Sequence, residues 1–164
     1  MRSRRTIVVL AAITLALSAC SGADVAEEIL ESQEGVGDVE IDENNGSIVI
    51  EVEDEEGGGS AVIGGGEVPD GFPIPVPDGG TVAAVFTQDS DATVTLTYPA
   101  SEYDSLVATY QAFVDGTGGE VNTFTSSNPA STTWTVSVDD EAYNISVSEG
   151  DPDVTVFLVS SSTG

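Results

Sequence analysis

Ser101-Glu102-Tyr103-Asp104-Ser105-Leu106-Val107-Ala108-Thr109-Tyr110-Gln111-Ala112-Phe113-Val114 is the stretch that decides the fold. Tyr103, Leu106, Val107, Tyr110, Phe113 and Val114 recur at three- and four-residue spacing, which gathers them into one stripe along a helix. Ser101, three residues before Asp104, has the form of a capping box, and Gly116 and Gly118 offer a stop. On both sides of this helix the apolar period is two. Strands are expected at Thr81–Gln88, Ala92–Tyr98, Glu120–Thr125, Thr132–Val138, Ala142–Ser148 and Val154–Ser160. One amphipathic helix has only one stripe to bury. The expected architecture is therefore α+β, an antiparallel sheet with the helix packed on one face.

Alternation sorts the strand residues into two faces. Val94, Leu96, Tyr98, Trp134, Val136, Val138, Tyr143, Ile145, Val147, Val154, Val156 and Leu158 are expected to face the helix. Trp134 and Tyr143 are thereby read as core rather than as rings for polysaccharide recognition. The other face would carry Thr93, Thr95, Thr97, Thr133, Thr135, Ser137, Asn144, Ser146 and Ser148. Two readings of this hydroxyl-rich surface stand open: a flat recognition face, or the composition that an exposed sheet prefers, since Thr favours strands.

Upstream, Glu67–Gly80 contains Phe72-Pro73-Ile74-Pro75-Val76-Pro77. Alternate prolines remove alternate backbone donors, so this stretch cannot be an interior strand. It reads as a strap laid on the domain through Phe72, Ile74 and Val76, with a solvated polyproline linker as the other reading. Before it, Val39, Ile41, Ile48, Ile50 and Val52 alternate with acids about Asn45-Gly46, a hairpin signal, and a short strand around Ser60–Ile63 follows Gly57-Gly58-Gly59. This acidic β-hairpin or short meander must dock its apolar side on something, because a hairpin alone is marginal in water. Asp24–Glu31 reads as a short helix with Val25, Ile29 and Leu30 on one side.

The first twenty residues speak to location. Arg2, Arg4 and Arg5 precede an apolar run, Ile7–Leu17, that is too short to span a bilayer, which takes about 20 residues. Leu17-Ser18-Ala19-Cys20 closes it, with small residues before the sole cysteine of the chain. A basic start, a short apolar core and a cut site define a secretory signal. The organisation expected is thus 1–19 signal peptide, 20–37 lipidated tether with a short helix, 38–66 acidic hairpin region, 67–80 strap and 81–162 compact domain. Ser3-Arg4-Arg5 also has the form of a twin-arginine start.

Charge excludes several classes of function. All three cationic side chains lie before position 19 and all 29 Asp and Glu after it, so the mature chain has no Lys, Arg or His. Such a surface repels nucleic acid and offers no fork for phosphate. Without His or Lys, a nucleophile has no usual base, and His- or Cys-ligated zinc is excluded with it. Calcium asks only for oxygen ligands, and Glu51, Glu53, Asp54, Glu55 and Glu56 are the densest cluster, which makes calcium a candidate cofactor. Asp42-Glu43-Asn44-Asn45-Gly46 faintly echoes an EF-hand loop, with Ser47 where that loop requires glycine. Asp139-Asp140-Glu141 reads as a turn. Paired carboxylates leave a hydrolase as a remote alternative.

The chain resembles bacterial, especially actinobacterial, envelope lipoproteins, a loose group. The resemblance rests on the Leu17-Ser18-Ala19-Cys20 lipobox, the acidic hairpin, the Phe72-Pro73 to Pro77-Asp78-Gly79 strap and the helix carrying Tyr103, Leu106 and Tyr110. It implies that the Cys20 thiol takes a diacylglycerol and becomes the new N-terminus after cleavage, and it implies no catalytic residue. The expected function is that of a non-enzymatic, lipid-anchored extracytoplasmic module. It would act on an envelope protein or polysaccharide while held at the membrane, with no role in nucleic-acid binding. An acidic calcium-binding protein is the alternative.

Overall fold

The computed structural model describes residues 39–42, 47–54 and 57–162. Its nine strands are β1 Val39–Asp42, β2 Ser47–Asp54, β3 Gly57–Ile63, β4 Thr81–Gln88, β5 Asp91–Pro99, β6 Glu120–Ser127, β7 Ala130–Val138, β8 Glu141–Glu149 and β9 Asp153–Ser162. They form one antiparallel sheet in the order β1-β2-β3-β4-β5-β9-β8-β7-β6. Among the described residues a single α-helix, α1 Tyr103–Thr117, carries the chain from β5 in the middle of the sheet to β6 at its far edge. The fold is α+β, with one large antiparallel sheet and one helix packed against it.

Helix and strands meet through the residues their periods select. Leu106, Tyr110 and Val114 of α1 are buried, spaced four apart, and Tyr103, Val107 and Phe113 flank them. Beneath lie cross-strand rows set by the register: Leu96, Val156 and Val147; Val94, Leu158, Ile145 and Trp134; Tyr143 and Val136. Each of these rows is closed to solvent. Trp134 is 0 % exposed, and its indole N–H donates to Gln111 Oε1 of the helix at 3.0 Å. That bond satisfies a donor that burial would otherwise strand.

The helix ends where Gly118 adopts φ +72°, a left-handed conformation that glycine takes without penalty. Its start differs from the expected capping box. The chain enters through a 3-10 turn, Ala100–Glu102, so Ser101 lies inside that turn, and the Glu102 cap makes no side-chain bond to the backbone. An N-cap serine needs extended backbone to turn its oxygen onto the first free amides, and the 3-10 turn denies it that. Ser105 Oγ instead donates to Glu102 Oε2 at 3.1 Å.

The strap is realised as a surface strap. Ile74 is 2 % exposed within the main core, with Val68, Phe72 and Val76 packed around it. Tyr98 O–H donates to the Pro77 carbonyl at 2.8 Å, which pins the strap's end to β5. Gly80 permits this closeness, since a Cβ there would overlap the Tyr98 ring.

The acidic meander docks edge to edge rather than face to face. β3 pairs with β4 from Gly59↔Gln88 to Ile63↔Ala84, so β1–β3 extend the same sheet. β3 begins at Gly57, three residues earlier than expected, and takes in the three glycines that were expected to precede it. A Cβ on Gly59 would come within 2.7 Å of the Thr87 carbonyl, so glycine serves close approach of β4 there rather than a bend. The Asn45-Gly46 turn, the Asp24–Glu31 helix and the signal with Cys20 lie outside the described residues.

Tyr110 holds an unusual position: its hydroxyl is buried with no hydrogen-bond partner among the described residues. Burial, and secondarily the neighbouring Tyr98, push its pKa well above the usual tyrosine value. An unpaired buried hydroxyl costs about 1–3 kcal/mol. Tyr110→Phe should therefore gain roughly 1 kcal/mol in urea denaturation. A loss of that size would reveal a partner for the hydroxyl.

Candidate functional site

The register places every second strand residue on the face away from the helix. Across β7, β8, β9, β5 and β4, one row reads Thr133, Ser146, Phe157, Thr95 and Ala84, and β6 adds Phe124. The next row reads Asn122, Thr135, Asn144, Val159, Thr93 and Phe86, and continues through Ala61 and Ile50 to Val39. The hydroxyl residues expected on this face are all there. Thr133 and Ser146 hydroxyls lie 3.0 Å apart, and Asn144 Nδ2 donates to Thr135 Oγ1 at 3.2 Å.

Three phenyl rings stand on this surface: Phe86 at 37 %, Phe157 at 40 % and Phe124 at 69 % exposure. At about 4.8 Å per strand, Phe124 and Phe157 are roughly 14 Å apart along one row, and Phe86 is about 12 Å beyond. Sequence reasoning singled out none of them. In β9 both faces are apolar, so Phe157 between Val156 and Leu158 shows no alternation to mark it as outward. In β6 every residue is exposed, and Phe124 among Thr and Ser gives no periodic signal.

This face is also electrically neutral between the strand ends. Asp91, Glu120 and Asp153 sit at the first positions of their strands, and Asp89, Asp139 and Asp140 occupy turns. Like charges set across adjacent strands repel, so acids are cheapest at the rim. The result is a patch of hydroxyls, amides and phenyl rings bordered by carboxylates. Asp139 takes φ +50° in the two-residue turn between β7 and β8, as the turn reading of Asp139-Asp140-Glu141 anticipated.

The calcium candidates are not brought together by any described contact. Glu51 is exposed on β2, opposite Ser60 of β3. Glu53 and Asp54 belong to β2, while Glu55 and Glu56, like the side chains of Glu53 and Asp54, lie outside the described residues. Among the described residues no group of three His, Cys, Asp or Glu is placed to hold a metal ion. Tyr143 is tied to an acid instead: its hydroxyl donates to Glu141 Oε2, and that bond, with burial, pushes its pKa up to about 12. This ring is core, 6 % exposed and tilted against Phe113 with centroids 6.0 Å apart.

No helix among the described residues is long and apolar enough to cross a membrane. No family model, curated protein or solved structure matches the chain.

Proposed function

We propose that this protein is a lipid-anchored, non-enzymatic module of the extracytoplasmic face, acting through the open face of its sheet on an uncharged envelope component. Anchoring rests on the lipobox, with Cys20 as the acylated residue. The observation that carries the interaction reading is the neutrality of the open face in a chain with 29 acids and no base after position 19. A basic partner would seek the carboxylate rim. A neutral polysaccharide suits the centre, where phenyl faces offer apolar stacking surfaces and Thr, Ser and Asn offer donors and acceptors.

Binding to insoluble envelope polysaccharide, measured by co-sedimentation, tests this reading. The double variant Phe124→Ala/Phe157→Ala should weaken binding tenfold or more with little change in stability, because both rings are exposed. Equal binding by the variant, or binding abolished by modest salt, would move the contact from this face to the acids.

A further inference from the structure

The two edges of the sheet are built differently. β1 is four residues long and alternates its apolar residues with the acids Glu40 and Asp42. Short, charged strands of this kind keep a sheet edge from pairing with another chain. β6, at the other edge, runs eight residues from Glu120 to Ser127, with no proline, no basic residue and one acid, at its first position. Its register against β7 passes through every residue without a bulge. Among the described residues β6 pairs with β7 alone, so the backbone groups along its outer side have no ladder partner there.

Apolar side chains collect on the same strand. Phe124, on the open face, is the most exposed of the large apolar residues, and Val121, opposite Val136 on the helix side, is exposed as well. Over most of the surface two copies of this chain would meet acid against acid, because 29 carboxylates and no base follow position 19. From Val121 to Val138, through β6 and all of β7, there is no charged side chain. This edge is where one copy can approach another without repulsion.

We infer that β6 pairs antiparallel with β6 of a second copy, joining two sheets into one across a two-fold axis. Such an interface is isologous and sets one residue opposite its own copy. With Phe124 on the axis, the pairs are Thr123 with Thr125, Asn122 with Ser126, Val121 with Ser127 and Glu120 with Asn128. Directly opposed residues share a face with Cα atoms about 4.5–5.5 Å apart, so the two phenyl rings meet on the open face. Polar side chains face polar ones at the inner pairs, and each Glu120 carboxylate meets an Asn128 amide that can donate to it. At 3.4 Å per residue the two Glu120 residues stand about 27 Å apart, beyond the Debye length in physiological salt. Moving the axis to Thr123 or Thr125 sets Phe124 against Asn122 or Ser126 and leaves the rings apart.

Disulfide trapping tests the pairing and its register. In the full chain carrying Cys20→Ala, Phe124→Cys places the sole thiol on the axis, within the Cα separation that a disulfide spans. Under mild oxidation it should form a covalent dimer roughly tenfold faster than Asn122→Cys or Ser126→Cys, whose like positions lie about 14 Å apart. In sedimentation equilibrium the parent chain should dimerise more tightly as salt screens its acids. Thr123→Asp/Thr125→Asp sets carboxylates against each other across the seam and should be monomeric with an unchanged circular dichroism spectrum. No glycan enters these measurements, so the polysaccharide reading stands or falls separately. Crosslinking no faster at 124 than at 122 and 126, or a parent chain that stays monomeric at every concentration, would overturn the proposal. So would a monomer whose β6 amides are already protected from exchange, which would put another segment on this edge.

Discussion

Trp134→Ala is expected to cost about 3–5 kcal/mol, the range for deleting a large buried aromatic. The ring is fully enclosed between β7 and α1, in a row with Ile145, Leu158 and Val94, and rigid strands on both sides leave the cavity little room to collapse. The substitution also strips Gln111 of its indole donor, though that amide is exposed and can turn to water. Because Trp134 is the sole tryptophan, unfolding should be followed by circular dichroism rather than by fluorescence. The urea midpoint should fall with the slope unchanged. A loss below about 1 kcal/mol would mean that the helix does not close over this row, since surface changes stay within about 0.5 kcal/mol.

Replacing Cys20 by Ala is expected to abolish lipid attachment altogether. The thiol is the only one in the chain, so no other residue can take over the thioether. Two acyl chains hold a protein stably at a bilayer, whereas one holds it marginally. Intact-mass analysis of the membrane fraction should find a diacylated cysteine at the N-terminus of the parent protein. In the variant, the same measurement should find Met1–Ala19 retained and no acyl mass. An unmodified thiol in the parent protein would contradict the lipobox reading and remove anchoring from the account.

The sequence made the two-period strands and the helix legible because each has one apolar and one polar side. Val94, Leu96 and Tyr98 between threonines are the clearest case. Legibility failed where local chemistry and tertiary pairing parted. Gly57-Gly58-Gly59 has the composition of a turn, but the Val52 to Asp54 backbone opposite it recruits it into a ladder. The joining of β3 to β4 was hidden because the strap separates the two strands in sequence. Ser101-Glu102-Tyr103-Asp104 carried the letters of a capping box, and only the backbone reveals the 3-10 turn that defeats it.

The candidate site was half legible. The Thr and Ser positions followed from alternation, and their neutrality followed from the placement of acids at turns. Phe86 and Phe157 did not, because each directly follows a valine, Val85 or Val156, and sequence alone does not say which member of such an apolar pair faces inward. Register is what separates them: Phe86 pairs with Thr93 and Phe157 with Thr95, both on the face away from Tyr110.

The most direct test of the central claim is a nuclear magnetic resonance titration of the folded protein with a soluble neutral fragment of envelope polysaccharide, following amide and side-chain shifts. The account predicts saturable shifts confined to the open face of β5, β9, β8, β7 and β6, centred on Phe157 and Phe124, with the Asp139-Asp140 turn and α1 unmoved. Shifts centred on the acidic turns, or none at all with every neutral fragment tried, would contradict it.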